Sequence, residues 1–154
     1  MAGNHDRVHS LGLLRYLRGW YRNSHKSDSH PVTIVGNASP RQYLRYENNL
    51  IGFTHGDGHN IKKSLIPQLM AFEESGNWGK AQNRYVFVGD KHYERVLDHG
   101  GVIIEQMPSL SGDDAWHARN GYVMSSRGLG CYCIDAEKGM FAKFLANVDI
   151  SEYS

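Results

Sequence analysis

Cysteine is scarce in this sequence. The chain of 154 residues has two cysteines, Cys131 and Cys133. One residue separates them in a stretch that predicts a strand, where neighbouring side chains on one face form a disulfide with difficulty. We therefore expect two free, buried thiols and no disulfide framework, which is typical of a cytoplasmic protein.

Long apolar segments are absent. The longest hydrophobic runs are only a few residues, as in residues 85–88 and 102–104, and are far shorter than the roughly 20 residues that a membrane-spanning helix requires. Residues 1–7 carry charge where a secretory signal has its apolar segment. These features predict a chain without a membrane segment or secretory signal, located in the cytoplasm.

Neither sign of charge predominates. The chain has 17 Lys and Arg residues against 16 Asp and Glu residues, a formal net charge of +1. A field this weak does not by itself indicate binding to nucleic acid or to an anionic membrane. Candidate partners therefore have to be identified from local groups of residues.

The composition that is present suits one packed domain. Hydrophobic residues make up 40% of the chain, and the length predicts a single domain over residues 1–154. Helical periodicity predicts helices over residues 8–22 and 61–72, and Pro67 has to lie near the first turn of the second helix or kink it. Strands are predicted over residues 32–35, 41–46, 50–54, 85–88, 95–97, 102–106, 130–134 and 140–145. The predicted fold class is α+β or mixed α/β, with two helices covering the sheet.

Several glycine-containing loops carry histidine or carboxylate side chains. Among nine histidines, most are expected to be surface or core residues. The exceptions lie in four loops beside predicted elements: Gly3-Asn4-His5-Asp6, Thr54-His55-Gly56-Asp57, Gly89-Asp90-Lys91-His92 and residues 111–117. Loops at strand ends bring distant residues together, and imidazole with carboxylate or amide oxygen favours Mn, Fe, Zn or Ni over metals that prefer thiolates.

Three of these loops carry a specific resemblance. Gly3-Asn4-His5-Asp6, His55-Gly56 and Gly89-Asp90-Lys91-His92 resemble, in order, the last three motifs of the calcineurin-like metallophosphoesterases. Residues 49–57 and 108–117 are also similar to stretches of phosphoesterases from phages and bacteria. The resemblance implies the C-terminal part of the calcineurin-like sandwich, in which helices cover mixed β-sheets.

The resemblance also implies a set of metal ligands. Asn4, through its amide oxygen, and His55 match the ligands of the second metal ion. His92 matches a ligand of the first ion, and Asp90 stands beside it where the family has a histidine. The implied cofactor is a divalent transition metal, with Mn²⁺ the leading candidate and Zn²⁺, Fe and Ni²⁺ as alternatives.

The remaining residues of the first loop match the catalytic pair of the family. By resemblance, His5 stabilises charge on the phosphate or protonates the leaving oxygen, and Asp6 orients His5. Two metal ions together promote in-line displacement at phosphorus. The implied activity is phosphoester hydrolysis, with phosphomonoesters, nucleic acid and nucleotides as candidate substrates.

Two departures from the family pattern affect this interpretation. The family has Asp-x-His and Gly-Asp-x-x-Asp before Gly-Asn-His-Asp, and this sequence does not contain them in that order. Asp57-Gly58-His59 has the first spacing in the wrong position. We therefore expect the C-terminal half of a split or truncated enzyme, with exposed strand edges, which needs a complementing N-terminal chain or forms a homo-oligomer. Asp90 in place of histidine is expected to change metal preference or turnover.

Simpler interpretations stay open. Asn4 or Asp6 would also suit the N-terminal cap of the first helix. His55 would equally suit a strand end without a ligand role, and Trp20 and Trp78 are expected to pack in the interior. Arg119 and Arg127 are expected to be surface residues. The alternative function is a catalytically inactive binding or assembly module, or a remnant that retains the phosphoesterase fold.

Overall fold

A computed structural model describes residues 7–24, 32–36, 39–56, 65–90, 94–108 and 128–147. The helices are α1 (Arg7–Ser24), α2 (Ile66–Glu73) and α3 (Ser75–Trp78), and seven strands accompany them. The strands are β1 (Arg41–Tyr46), β2 (Asn49–Thr54), β3 (Asn83–Val88), β4 (Arg95–His99), β5 (Val102–Gln106), β6 (Gly128–Asp135) and β7 (Gly139–Asn147). The fold is therefore mixed α+β.

Five strands form the main sheet. Their order is β1-β2-β3-β5-β4, and the remaining two strands, β6 and β7, form a separate antiparallel pair. The three central strands run parallel: β2 pairs with β3, and β3 pairs with β5. The outer strands β1 and β4 each run antiparallel to their neighbour. The carboxyl ends of β2, β3 and β5 consequently lie at one edge of the sheet.

The central strands are buried on both faces, which explains their composition. The last four residues of β3 are all buried, and β5 is buried at every position except Ile103. A parallel strand covered on both sides is typically a continuous run of β-branched and aromatic residues rather than an alternating one. The apolar runs at residues 85–88 and 102–104 therefore mark the centre of the fold.

Helix α2 covers one face of the main sheet. Its buried residues are Ile66, Pro67 and Met70, and Ile66 and Met70 join a core cluster with residues from the central strands. That cluster is completed by Leu50, Ala81, Val86, Val88, Val102 and Ile104. Pro67 lies in the first turn of the helix, as predicted, where its missing N–H removes no helical hydrogen bond.

A polar cluster fixes α2 to the edge strand β1. The Arg41 guanidinium forms an ion pair with Glu73, and the Tyr43 hydroxyl donates to Glu73 Oε2 at 2.7 Å. The hydrogen bond from Arg41 holds the pKa of the Glu73 carboxyl below its usual value. Burial raises the pKa of Tyr43, and the hydrogen bond to Glu73 raises it further. The charged carboxylate is thus the form that this cluster stabilises.

The β6–β7 pair covers the opposite face. Its residues Tyr132, Ile134 and Met140 pack against a second core cluster of Ile51, Tyr85 and Phe87. The sequence analysis predicted helices as the cover, and on this face a second sheet takes that place. The main-chain N–H of Met140 donates to the Tyr85 hydroxyl at 2.8 Å, so the two layers are joined by polar contacts as well as apolar ones.

Asn49 joins the layers at the amino end of β2. Its side chain is fully buried, and Nδ2 donates to the carbonyl oxygens of Asp135 and Ala136 at 2.9 and 3.0 Å. Asp135 Oδ1 in turn accepts from the main-chain N–H groups of Glu137 and Lys138. This side-chain turn closes the β6–β7 hairpin and positions it against the main sheet.

The predicted strand over residues 32–35 is wrong. Residues 32–36 have no regular secondary structure, and their carbonyl groups are paired with a side chain rather than with a strand. Arg18 of α1 donates to Ile34 O at 3.2 Å and to Gly36 O at 2.8 Å. β-branched residues without a strand beside them have no ladder to join, so their propensity does not decide the conformation.

The other predicted elements are present where the structure describes them. Helix α1 and the remaining strands begin and end within two residues of the predicted bounds, and the short α3 was not predicted. Residues 61–64 of the second predicted helix lie outside the described residues. No helix of the described chain is long and apolar enough to cross a membrane.

The cysteines are free, as predicted, but only partly buried. Cys131 is exposed and Cys133 is half-buried. Tyr132, between them, contacts Phe87 and faces the main sheet. Because side chains alternate along a strand, both cysteines face outward. The predicted burial is therefore wrong for Cys131.

The two neighbouring isoleucines of β5 test this arrangement. Ile104 is 1% exposed and Ile103 is 36% exposed. We expect Ile104→Ala to lower the free energy of unfolding by about 3 kcal/mol, through lost burial and a cavity. Ile103→Ala removes the same atoms and serves as the matched control, with an effect of less than half that size. Urea unfolding measures both, and equal losses would contradict the assignment of the core.

Candidate functional site

Two of the sequence-predicted site residues lie at the carboxyl edge of the central strands. His55 directly follows β2, and Asp90 follows β3 after Gly89. Because β2 and β3 are adjacent and parallel, with Thr54 paired to Val88, the chain leaves both strands at the same level. In open sheets with parallel strands, this edge is where ligands typically bind.

The side chains of His55 and Asp90 lie close together. The distance from His55 Nε2 to Asp90 Oδ1 is 3.6 Å. The His55 side chain is 28% exposed and the Asp90 side chain 16%, so both are partly buried and still accessible to solvent. Residues 35 positions apart in the sequence thus form one imidazole–carboxylate pair, which we call the His55–Asp90 pair.

The backbone around the pair is unusually tight. Gly56 has φ +96°, and a Cβ at this position would lie 2.8 Å from Val88 Cγ1. A Cβ at Gly89 would lie 3.2 Å from the His55 carbonyl oxygen. Glycine at both positions allows the two loops to approach each other.

Asp90 itself adopts a conformation that L-residues avoid. Its φ is +70°, in the left-handed region where a Cβ costs energy. Non-glycine residues in this region occur disproportionately at binding and catalytic sites, because the surrounding fold has to hold them there. The carboxylate is therefore placed by the loop at some cost to stability.

Gln106 supports this loop, and the sequence analysis did not identify it. Its side chain is 1% exposed at the end of β5. Nε2 donates to the Val88 carbonyl oxygen at 3.1 Å and also to that of Gly89. Gln106 thereby fixes the chain leading into Asp90. No feature of the sequence singles out Gln106, because a polar residue shortly after an apolar run such as 102–104 is ordinarily expected to be exposed.

Glu105, the residue of β5 that precedes Gln106, belongs to a cluster of charged side chains. The buried Glu105 carboxylate pairs with Lys143 of β7 and accepts from the Tyr132 hydroxyl at 2.7 Å, and Lys143 also pairs with Glu94. Burial lowers the pKa of Lys143, but its bonds to Glu105 and Glu94 outweigh that effect and raise it. Burial and the bond to Glu105 raise the pKa of Tyr132. The cluster compensates a buried charge and anchors β7 to β5.

The other candidate residues cannot be placed. Asn4, His5, Asp6 and His92 lie outside the described residues, as do Asp57, His59, His117, Arg119 and Arg127. Within the described ranges, no group of three or more His, Cys, Asp or Glu side chains is arranged to hold a metal ion. The structure therefore brings together His55 and Asp90 alone among the predicted ligands.

The His55–Asp90 pair fits a divalent metal as a partial ligand set. Two ligands that each bind one ion at about 2.1 Å are at most about 4.2 Å apart, and the observed Nε2–Oδ1 separation is within that limit. Imidazole and carboxylate donors suit Mn²⁺ and Zn²⁺.

Comparisons with known proteins add one structural similarity. No family model matches the chain, and no curated protein matches it. Among solved structures, it is similar to a conserved uncharacterized protein of Streptococcus pneumoniae TIGR4, a predicted phosphoesterase. The two are 12% identical, with 90% of this chain and 91% of that chain covered and a TM-score of 0.40. The function has to be inferred from the residues of this chain.

Asp90 allows a test of the loop backbone. Asp90→Gly and Asp90→Ala both remove the carboxylate, but only glycine adopts positive φ without strain. We expect the glycine variant to unfold with a free energy about 1 kcal/mol higher than the alanine variant, a gain that exceeds the larger chain entropy glycine loses. Urea unfolding of the two variants measures the difference. An alanine variant of equal or greater stability would show that the loop is not held at positive φ.

Proposed function

We propose that this protein is a metal-dependent phosphoesterase of the calcineurin-like type, with its site at the carboxyl edge of β2 and β3. The observation that carries the proposal is the His55–Asp90 pair. Two loops that were selected from the sequence for their resemblance to successive family motifs lie side by side, with 3.6 Å between potential ligand atoms.

The proposed ligand set extends beyond the described residues. His55 and Asp90 would be joined by Asn4 and His92, the remaining matches to the family ligands. Bound metal would supply Lewis acidity, which stabilises charge on a phosphoester and activates water. His55 contributes a neutral imidazole nitrogen, and Asp90 contributes negative charge where the family has a neutral histidine. This extra charge favours harder ions such as Mn²⁺ over Zn²⁺.

His5 and Asp6 are proposed as the acid and its orienting partner. They immediately precede α1 in the sequence, since the first residue of that helix is Arg7. In this role His5 protonates the leaving oxygen of the phosphoester, and the Asp6 carboxylate holds the imidazole in the required orientation. Phosphomonoesters, nucleotides and nucleic acid all offer such an oxygen.

A complementing polypeptide is part of the proposal. The sequence has no Asp-x-His followed by Gly-Asp-x-x-Asp ahead of Gly-Asn-His-Asp. The carboxylates that these motifs supply in the family would come from polypeptide outside these 154 residues. With such a partner, metal binding and association would stabilise each other, because the metal binds the assembled site most tightly.

Metal binding tests the proposed site directly. We expect His55→Ala and Asp90→Asn each to weaken Mn²⁺ binding by at least about tenfold, because the first removes a donor atom and the second removes the negative charge of the carboxylate. Isothermal titration with Mn²⁺ measures the affinity, and hydrolysis of bis(p-nitrophenyl) phosphate measures the activity that EDTA should abolish.

His99→Gln is the matched control for this experiment. His99 is an exposed histidine at the end of β4, on a strand that does not contribute to the site. Its replacement should leave the Mn²⁺ affinity unchanged. Equal affinity in wild type, His55→Ala and Asp90→Asn would contradict the metal site, whatever the activity of the preparation.

A second candidate function is an assembly module without catalytic activity. The observation that favours it is the outer face of the β6–β7 pair, formed by alternate residues of the two strands. These residues are uncharged: Leu129, Cys131, Cys133, Ala142, Phe144 and Ala146. Leu129 and Phe144 are both more than half exposed, and an exposed apolar face on a two-stranded sheet is a typical contact surface.

Self-association distinguishes this candidate. If the face mediates contact between copies of the chain, Phe144→Asp should shift a concentration-dependent oligomer to monomer in sedimentation velocity, because a buried unpaired carboxylate opposes association. Phe72→Asp is the control, since Phe72 is exposed on α2. A wild-type chain that stays monomeric at high concentration would count against assembly through this face.

A further inference from the structure

Helix α1 carries basic charge without acidic residues. Its sequence, RVHSLGLLRYLRGWYRNS, includes Arg15, Arg18 and Arg22 and no Asp or Glu. The net charge of the whole chain, +1, conceals this local excess, because the acidic residues lie elsewhere. A helix of this composition attracts anionic partners.

One side of α1 faces the protein. Ser10, Leu14, Leu17 and Tyr21 are half-buried, and Leu14 lies against Gly36, where an added Cβ would come 3.0 Å from Leu14 Cδ1. These four residues recur at three- and four-residue steps and form one stripe. The rest of the helix circumference is exposed.

An exposed aromatic row lies beside this stripe. Tyr16 is 61% exposed and Trp20 is 55% exposed, with ring centroids 6.1 Å apart, and Leu13 extends the row. The sequence analysis expected Trp20 to pack in the interior, and that prediction is wrong. Trp78, by contrast, packs against the core as expected. Adjacent exposed aromatic rings on a helix present flat apolar surfaces to a ligand.

The arginines and the aromatic row are separated by glycine. With about 100° of rotation per residue, Gly12 and Gly19 lie between the Arg15–Arg22 row and the Tyr16–Trp20 row. A Cβ on either glycine would meet open space. The outward surface of α1 therefore has a row of arginines on one side, a row of aromatic rings on the other and bare backbone between them. We call this surface the channel.

We propose that this channel binds single-stranded nucleic acid. A polynucleotide has anionic phosphates along one side and flat bases along the other. The phosphates match the arginine row of α1 in charge, and the bases match the aromatic row in shape. Stacking of bases on Tyr16 and Trp20 would provide affinity without sequence preference, and Arg15 and Arg22 would pair with phosphates.

The arrangement favours nucleic acid over an anionic membrane. A helix that lies in a lipid interface has its apolar row at the centre of its outward surface, with cationic side chains on both flanks. In α1 the aromatic row borders the half-buried stripe, and the arginines all lie on the other flank.

This inference goes beyond the proposed function and does not depend on it. The channel is on α1, whereas the His55–Asp90 pair lies at the edge of the main sheet. If both hold, nucleic acid is the substrate class, since α1 directly follows His5 and Asp6 in the sequence. Binding without metal is therefore the property to measure.

Fluorescence anisotropy of a labelled oligo(dT) of about 12 nucleotides, in EDTA, tests the channel. We expect saturable binding by the full chain. Trp20→Ala and Tyr16→Ala should each weaken it about tenfold through lost stacking, and Trp20→Phe should retain most of it. Replacing both Arg15 and Arg22 by Gln should make the negative slope of log affinity against log salt less steep by about 1.4.

Matched controls separate stacking from general charge. Phe72→Ala removes an exposed aromatic ring from α2, and Arg95→Gln removes an exposed arginine from β4. Both should bind as wild type. The assay contains EDTA, so binding through the channel is measured without metal, and failure of the metal site and failure of the channel give different results.

Three outcomes would overturn the proposal. The first is the absence of oligo(dT) binding at low salt. The second is binding by charge alone, in which wild type and Trp20→Ala bind oligo(dT) with equal affinity and also bind inorganic polyphosphate with equal affinity. The third is binding to phosphatidylserine vesicles without binding to oligo(dT). Circular dichroism of each variant verifies that α1 is folded.

Discussion

The parallel pairing of β2, β3 and β5 is the constraint on which the rest of this structure depends. Strands in such a set cannot be joined by tight turns, so the chain has to cross a face of the sheet between β2 and β3, and α2 lies on that route. The same strands have a second face that also has to be covered. The β6–β7 pair provides that cover through Tyr132, Ile134 and Met140.

The candidate site is a direct consequence of this pairing. Parallel neighbours end at the same level, so His55 and Asp90 meet although the sequence separates them widely. The rigid strands also support a local conformation that would not persist alone: Asp90 is held at positive φ, and the side chain of Gln106 anchors the preceding carbonyl groups. Core stability is thus used to position a carboxylate.

Polar contacts join the β6–β7 pair to the main sheet, whereas two outer surfaces of the structure are apolar and exposed. Asn49, the Tyr85 hydroxyl and the Glu105–Lys143 pair join the β6–β7 hairpin to the main sheet at separate points. Beyond them, the outer face of β6–β7 and the aromatic row of α1 carry large apolar side chains in contact with solvent. Exposed apolar surfaces of this kind are typical of sites that contact a partner.

Local pattern was sufficient for most of the elements and for the choice of candidate loops. The apolar runs of β3 and β5, the hairpin of β4 and β5 and the helical period of α1 are properties of neighbouring residues, and the sequence determined them. The 32–36 segment, Gln106, Trp20 and the exposure of Cys131 were decided by tertiary structure. Each depends on what lies across from it: a partner strand, a carbonyl group, a packed interior or a covering layer. Those partners are distant in the sequence, so whether a residue meets one is decided only when the chain folds.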